Sequence, residues 1–172
     1  PSELLISFSF QNSVCNGEDL GSIDITSNGG TGGHSYLWSE GSTSEDLINI
    51  MAGNYSVEVT DGNNCITTES FIITEPLAYL PYFDVNDVMC FGDLTGAIDF
   101  TISGNTSPYT YVWSNGANTQ DLEYLAAGTY SVTVQDSNNC IESFDVTLTQ
   151  PEELIFGYSV YHATCEENDD GS

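Results

Sequence analysis

Short runs of alternating apolar and polar residues dominate this chain. Six such runs lie within the first 75 positions, and an alternation with a period of two is typical of strands that bury one face. Clusters rich in glycine and asparagine, such as 28–30 and 61–64, separate the runs as turn residues do. The predicted strands are Leu5–Phe10, Ser22–Ser27, Ser35–Ser39, Asp46–Ile50, Asn54–Thr60 and Ile66–Thr74.

The same pattern returns 75 positions later without a gap, so that Pro1 aligns with Pro76 and Pro151. Self-similarity at a fixed period is the mark of a repeat protein. The sequence therefore predicts three units, namely a first repeat over residues 1–75, a second over residues 76–150, and the start of a truncated third repeat over residues 151–172.

Six short strands in each repeat predict an all-β fold of tandem small antiparallel β-sandwiches of the immunoglobulin or PKD-like kind. Trp38 in mid-strand, and Tyr55 two positions before Val57, match the buried tryptophan and the tyrosine corner of such sandwiches. Trp113 and Tyr130 are their counterparts in the second repeat. We predict that all four aromatic side chains belong to the core; the alternative is an exposed surface that stacks on a sugar.

The charge of the chain limits its partners. It has 26 Asp and Glu residues and no Lys or Arg, which gives a formal charge of −26. Contacts with nucleic acid and with anionic lipid both need basic residues, so neither is expected as a partner. Direct membrane insertion is not expected either, because no run of about 18 apolar residues appears in the sequence.

Five cysteines are present, and the repeat suggests how they pair. Cys15 with Cys65, and Cys90 with Cys140, form equivalent pairs 50 positions apart within each repeat, while the partner of Cys165 lies outside the sequence. A bond between Cys65 and Cys90 across the repeat boundary stays open as an alternative. Either scheme predicts an oxidising compartment and hence export from the cell.

The repeat also resembles a known family. Its motifs, in this sequence Cys15–Ile23, Tyr36–Gly41, Asp46-Leu47 and Ala52–Cys65, are similar to those of the SprB-type repeat. The resemblance implies a very large adhesin on the bacterial cell surface, associated with the outer membrane and exported by type IX secretion. It also implies gliding motility, with the secretion and gliding machinery as partners and an extracellular surface or polysaccharide as the target of the full-length adhesin.

A structural, non-enzymatic role follows from these features. No nucleophile or acid pair stands out in both repeats, and the two repeats are joined by a short connection through Glu75-Pro76 without a Gly/Ser linker. We expect a semi-rigid, force-bearing stalk in surface adhesion and gliding. The alternative is a glycan- or protein-binding module that uses loops such as Gly29–Gly33 and Ser39–Ser44.

No cofactor is expected with the exception of calcium. If Cys15 bonds Cys65, carboxylate and amide oxygens from the two neighbouring loops converge, and calcium favours such ligands. Turn geometry alone is the favoured explanation of these residues, and calcium binding is the alternative. The candidate ligands are Glu18, Asp61 and Asn63 in the first repeat and Asp93, Asp136 and Asn138 in the second.

Overall fold

The computed structural model describes residues 2–159, and the regular secondary structure within them is β-strand. No helix in this part of the chain is long and apolar enough to cross a lipid bilayer. Each of the six strands predicted in the first repeat is present. They are β1 (Ser2–Gln11), β2 (Gly21–Gly30), β3 (Ser35–Trp38), β4 (Leu47–Ile50), β5 (Gly53–Thr60) and β6 (Ile66–Ile73).

Six further strands follow in the second half, at matching places along the chain. Residues 151–159 come after the last of them and are exposed without regular structure, and the predicted Cys165 lies outside the described residues. The strands are β7 (Leu80–Asn86), β8 (Gly96–Ser103), β9 (Thr110–Trp113), β10 (Leu122–Leu125), β11 (Gly128–Gln135) and β12 (Ile141–Leu148).

The strands form four three-stranded antiparallel sheets. In the first half, β1, β2 and β4 make one sheet in the order β1-β2-β4, and β3, β5 and β6 make the other in the order β3-β5-β6. The second half repeats this arrangement as β7-β8-β10 and β9-β11-β12. The predicted all-β class of small antiparallel sandwiches is therefore confirmed.

Alternating residues of the two sheets fill each core. In the first sandwich Ile23 and Ile25 of β2, Val57 and Val59 of β5, and Trp38 of β3 belong to one buried cluster. The Trp38 side chain is only 2% exposed, and its indole Nε1 donates to the carbonyl of Ser44 at 2.8 Å. A buried indole whose one donor is satisfied packs as a core residue and leaves no face for a sugar. Trp113 lies in the same way in the second core, with its Nε1 donating to Thr119.

Consecutive strands β3 and β4 run in the same direction, and this decides where the loops lie. β4 is antiparallel to β2, and β3 is antiparallel to β5. The backbone N–H of Gly62, just after β5, donates to the carbonyl of Thr31, just after β2, at 2.7 Å. β2 and β5 therefore finish at the same end, and both β3 and β4 run away from it.

Each sandwich consequently has two distinct ends. We call the end that holds the start of β1 and the turn 61–65 the entry end, because the chain enters the sandwich there. The exit end holds the loop 12–20 and the end of β6, since the N–H of Ser13 donates to the carbonyl of Thr74 at 2.9 Å. In the second sandwich the entry end holds the turn 136–140, and the exit end holds the loop 87–95.

The two corner tyrosines combine partial burial with a backbone hydrogen bond. Tyr55 packs against the first core, and its hydroxyl donates to the carbonyl of Met51 at 3.0 Å. Tyr130 packs against the second core, and its hydroxyl donates to the carbonyl of Ala126 at 3.0 Å. The hydroxyl of each tyrosine therefore ties down the connection that leads into the long central strand β5 or β11.

Replacing Tyr130 with Phe should lower the free energy of unfolding by about 1 kcal/mol, because the ring stays and only the corner hydrogen bond is lost. Urea denaturation followed by tryptophan fluorescence measures the change. The control is Tyr124→Phe, since the Tyr124 side chain is 79% exposed. Equal effects of the two substitutions would contradict a structural role for the corner hydroxyl.

Candidate functional site

A disulfide bond joins the two sandwiches. It links Cys15 to Cys140, 125 positions apart in sequence, with the two Cα atoms 5.6 Å from each other. Cys65 and Cys90 are free and exposed in the described part of the chain. The predicted pairs Cys15–Cys65 and Cys90–Cys140 are therefore wrong, and so is the alternative bond between Cys65 and Cys90.

The ends of the sandwich explain why the predicted pairs fail. Cys15 lies in the loop after β1, at the exit end, whereas Cys65 lies in the turn after β5, at the entry end. A strand of nine or so residues separates these ends by about 30 Å. Cysteines whose Cα atoms are more than about 7 Å apart cannot form a disulfide without moving the backbone.

The same reasoning brings Cys15 and Cys140 together. The chain leaves the first sandwich at its exit end and begins the second at its entry end, through the connection 74–79. Cys15 belongs to the first of these ends and Cys140 to the second. The disulfide is thus a bond across the junction of two sandwiches, and we take this junction as the candidate functional site.

A buried carboxylate presents Cys140 to the junction. Asp136 is 5% exposed, and its Oδ1 accepts the backbone N–H groups of Asn138 at 2.8 Å and of Cys140 at 2.9 Å. Its Oδ2 accepts the N–H of Thr106 at 3.1 Å. Three backbone donors around one carboxylate fix the shape of the turn, and Tyr79 adds a hydroxyl that donates to the carbonyl of Cys140 at 3.0 Å.

Asp61 organises the turn around Cys65 in the same way. Its carboxylate accepts the N–H groups of Cys65 at 2.8 Å, Asn63 at 2.9 Å and Thr31 at 2.9 Å. These donors, the Cys65 N–H foremost, lower the pKa of Asp61 below its usual value of 3.8, although burial opposes the shift. The spacing Asp-x-x-x-Cys recurs in both repeats, and these contacts are those expected of aspartates that serve turn geometry.

The loop that carries Cys15 is held by a buried serine. Ser13 is 4% exposed, and its hydroxyl lies 2.7 Å from the carbonyl of Cys15 and 3.1 Å from that of Glu18. The Ser13 N–H also donates to the carbonyl of Thr74, which directly follows β6. Ser13 therefore bonds the loop both to itself and to the end of β6. The cysteine is therefore presented by a fixed loop.

Hydrogen bonds from the Cys15 loop fasten the connection between the sandwiches. The side-chain amide of Asn16 donates to the carbonyl of Pro76 at 2.9 Å, and the N–H of Gly17 donates to the carboxylate of Glu75 at 2.6 Å. Gly17 has a φ of 72°, a left-handed conformation that suits glycine. The short connection is thus held by the same loop that carries Cys15.

Hydrogen bonding also crosses from one sandwich to the other beside the disulfide. The side-chain amide of Asn138 donates to the carbonyl of Val14 at 3.3 Å. Glu18 and Glu142, from opposite sides of the junction, line one cleft with the disulfide. Because the chain has no Lys or Arg, neither carboxylate has such a cation as a partner. The disulfide therefore joins two ends that each place a carboxylate in this cleft.

The structure does not assemble the predicted calcium ligands. Glu18 lies at the exit end of the first sandwich, whereas Asp61 and Asn63 lie at its entry end. Asp93 is separated in the same way from Asp136 and Asn138. The predicted grouping is wrong because it assumed the in-repeat disulfides. Among the described residues no group of three or more His, Cys, Asp or Glu is placed to hold a metal, and calcium binding stays an untested prediction.

Two segments of the chain match the family model of the SprB repeat, residues 7–43 and residues 83–118. The resemblance inferred from the sequence motifs is therefore confirmed. The match supports a repeat of a cell-surface adhesin, and with it an extracellular or cell-surface location. A comparison with curated proteins found no significant match.

Solved structures of immunoglobulin-domain proteins and of an intimin fragment resemble the chain at low identity. A Dscam structure that describes the basis of isoform specificity is 13% identical, and the match covers 76% of this chain and 41% of the Dscam chain, with a TM-score of 0.34. A C-terminal intimin fragment in complex with the intimin-binding domain of Tir is 14% identical over 87% of this chain and 64% of its own, with a TM-score of 0.41. The ectodomain of mouse nectin-like molecule 4 is 8% identical over 91% and 67%, with a TM-score of 0.37. The chain thus spans less than two thirds of the Dscam and intimin chains, and at these scores the likeness carries no information on function.

Non-reducing peptide mapping should recover a single linked pair that contains Cys15 and Cys140. Trypsin cannot be used on a chain without Lys or Arg, but a protease that cuts after glutamate places each cysteine in a different peptide. Alkylation before digestion should label Cys65 and Cys90. Recovery of Cys15 linked to Cys65 would contradict the structure.

Cys15→Ser should destabilise the first sandwich by about 4 kcal/mol. With the second sandwich folded, the disulfide closes a loop of roughly 60 unfolded residues, and the chain-entropy estimate for such a loop has this size. Calorimetric unfolding measures the change. The matched control, Cys65→Ser, removes an exposed free thiol and should shift stability by no more than about 0.5 kcal/mol.

Acid should weaken the entry-end turn through Asp61. Because its folded pKa lies below 3.8, its contribution to stability is fully present above the unfolded value and is lost as the pH falls below about 4 through the folded pKa. Between about pH 4 and pH 2, the unfolding midpoint temperature of Asp61→Asn should therefore fall less steeply with decreasing pH than that of the native chain. Asp24→Asn, at an exposed position of β2, is the control. Parallel pH profiles for all three proteins would contradict this assignment.

Proposed function

We propose that this chain, which carries two SprB-repeat segments, is a structural, non-enzymatic segment of a very large secreted cell-surface adhesin. It acts there as an extended, force-bearing stalk in surface adhesion and gliding motility. The observation that carries the proposal is the disulfide between Cys15 and Cys140, because it joins neighbouring sandwiches and not the two sheets of one. The disulfide also suits an oxidising location outside the cell.

A pulling force applied to the two ends of this segment would follow a short covalent path. It enters along β1, reaches Cys15, crosses the disulfide to Cys140 and leaves along β12. Residues 16–139 lie inside the covalent loop and are bypassed. Both cores can therefore loosen without lengthening the segment between its two cysteines.

The junction also resists bending. The connection 74–79 is fixed by Asn16 and by the contact of Glu75 with Gly17, while the disulfide lies at a second point of the same junction. Proline at position 76 further restricts the backbone on both sides of it. Two points of attachment allow less rotation than one, so a row of such junctions forms a semi-rigid rod.

The uniform negative charge suits a long array. With a formal charge of −26, neighbouring fibres repel one another, which discourages pairing between exposed edge strands of identical repeats. The same charge disfavours nucleic acid and anionic membrane surfaces as partners. We propose an extracellular surface or polysaccharide as the target of the full-length adhesin, and the secretion and gliding machinery of the outer membrane as its attachment.

Single-molecule stretching between the two ends tests the force path. For the oxidised chain, unfolding should extend only the residues outside the loop. Reduction should release the 125 positions between Cys15 and Cys140 and add about 400 Å of contour length, at roughly 3.3–3.6 Å per residue. A Cys65→Ser, Cys90→Ser variant should behave as the native chain does. Equal extension with and without reductant would contradict the proposed force path.

A further inference from the structure

We propose that Cys90 and Cys65 are bonding positions of the same kind as Cys15 and Cys140, and that their partners are cysteines of further repeats. In this scheme the exit-end cysteine of one repeat bonds the entry-end cysteine of the next. Cys90 would bond the counterpart of Cys140 in a following repeat, and Cys65 would bond the counterpart of Cys15 in a preceding one. The inference extends the proposed stalk, but the bonding can be tested whether or not the array bears force.

The entry end of the first sandwich is built like the entry end that forms the observed disulfide. The carboxylates of Asp61 and Asp136 each accept three backbone N–H groups, in both cases from the residue two positions on, from the cysteine four positions on, and from a threonine of the neighbouring loop. The difference lies in what covers the cysteine. Cys140 is 5% exposed beneath the first sandwich, whereas Cys65 is exposed.

The exit end of the second sandwich likewise repeats the exit end that carries Cys15. The N–H of Val88 donates to the carbonyl of Thr149 at 2.9 Å, as that of Ser13 does to Thr74. The N–H of Gly92 donates to the side chain of Gln150 at 3.0 Å, which is the contact that Gly17 makes with Glu75. Two of the backbone contacts that fix the loop of Cys15 therefore recur around Cys90, whereas the bonds of the Ser13 hydroxyl do not, because its counterpart is Val88.

The residues beside the two free cysteines correspond to residues that form contacts across the observed junction. Val14, whose carbonyl accepts the Asn138 side chain, has Met89 as its counterpart, and Asn138 has Asn63. Met89 is 76% exposed and Phe91 is 50% exposed, so the apolar side chains beside Cys90 are uncovered in this chain. An entry end placed against them would bring an amide donor to a carbonyl acceptor, as at the junction already formed, and would in addition cover these apolar side chains.

Successive bonds of this kind would interlock. Cys90 lies inside the loop closed by Cys15 and Cys140, so the next loop begins before the previous one ends. A pulling force along the array would cross a disulfide to an entry-end cysteine such as Cys65. It would then follow the chain from that cysteine to the exit-end cysteine of the next repeat, such as Cys90, and cross the next disulfide there. Each such chain segment is about 90 Å long when fully extended, and it spans two folded sandwiches whose combined length is roughly 60–80 Å. Unfolding would therefore add little length to the array.

The test is an extended protein in which the whole 172-residue chain is followed directly by a second copy of residues 23–150. Cys65→Ser in the first copy and Cys90→Ser in the second copy remove the two cysteines that have no partner in this protein, so that the remaining Cys65 and Cys90 peptides are each unique. This join keeps the 75-position register and completes a third and a fourth repeat. Peptide mapping after cleavage at glutamate should recover Cys90 linked to Cys65 of the second copy. Recovery of Cys90 as a free thiol, or linked to any other cysteine, would overturn the proposal.

The Cys15–Cys140 bond of the same molecule is the internal control. It should be recovered in every variant and shows that the first junction has folded. Cys90→Ser in the first copy should leave that bond in place and convert Cys65 of the second copy into a thiol that is alkylated without reduction, at near-complete yield. If that second-copy cysteine still forms a disulfide in this variant, the pairing is not specific and the proposal is wrong.

Discussion

The arrangement of the chain depends on one topological constraint: the two cysteines of a repeat lie at opposite ends of its sandwich. A covalent bond spans only a few ångströms between Cα atoms, whereas the strands separate the two ends by about 30 Å. The cysteines therefore cannot close a repeat on itself. What they can reach is the facing end of a neighbour, and the bond between Cys15 and Cys140 is that contact. Sheet topology thus converts an ordinary disulfide into a connection between domains.

The absence of cations explains the chemistry of the junction. Without Lys or Arg, the carboxylates near the disulfide have no such partner to form an ion pair, and Glu18 and Glu142 both line the cleft. Asp136 turns inward and accepts three backbone N–H groups. The other contacts are a few hydrogen bonds, such as those of Asn16, Asn138 and Gly17. A junction that has few hydrogen bonds and no ion pair to Lys or Arg is weak by itself, so the covalent bond determines whether it persists.

The strands and the buried tryptophans could be predicted from the sequence because they depend on local alternation, and Trp38 sits in the pattern of its own strand. The disulfide could not, because it depends on the direction of strands that are not neighbours in sequence. If every strand reversed the one before it, the turn after β5 would lie beside the loop after β1, and Cys65 would meet Cys15. The chain instead crosses from one sheet to the other between β3 and β4 without reversing its direction. That one crossing without reversal moves Cys65 to the far end and takes Asp61 away from Glu18.

The position of the bond also matters for what a stalk must withstand. A bridge between Cys15 and Cys65 would shield one sandwich, yet it would leave the connection between sandwiches as the first place to bend and extend. A bridge across the junction shields residues on both sides of it and removes the hinge at the same time. Its effect does not depend on the stability of either core, because the covalent path bypasses both. In the stalk that we propose, small sandwiches with limited apolar surface can then serve in a long array, since their own marginal stability no longer sets the load at which the array lengthens.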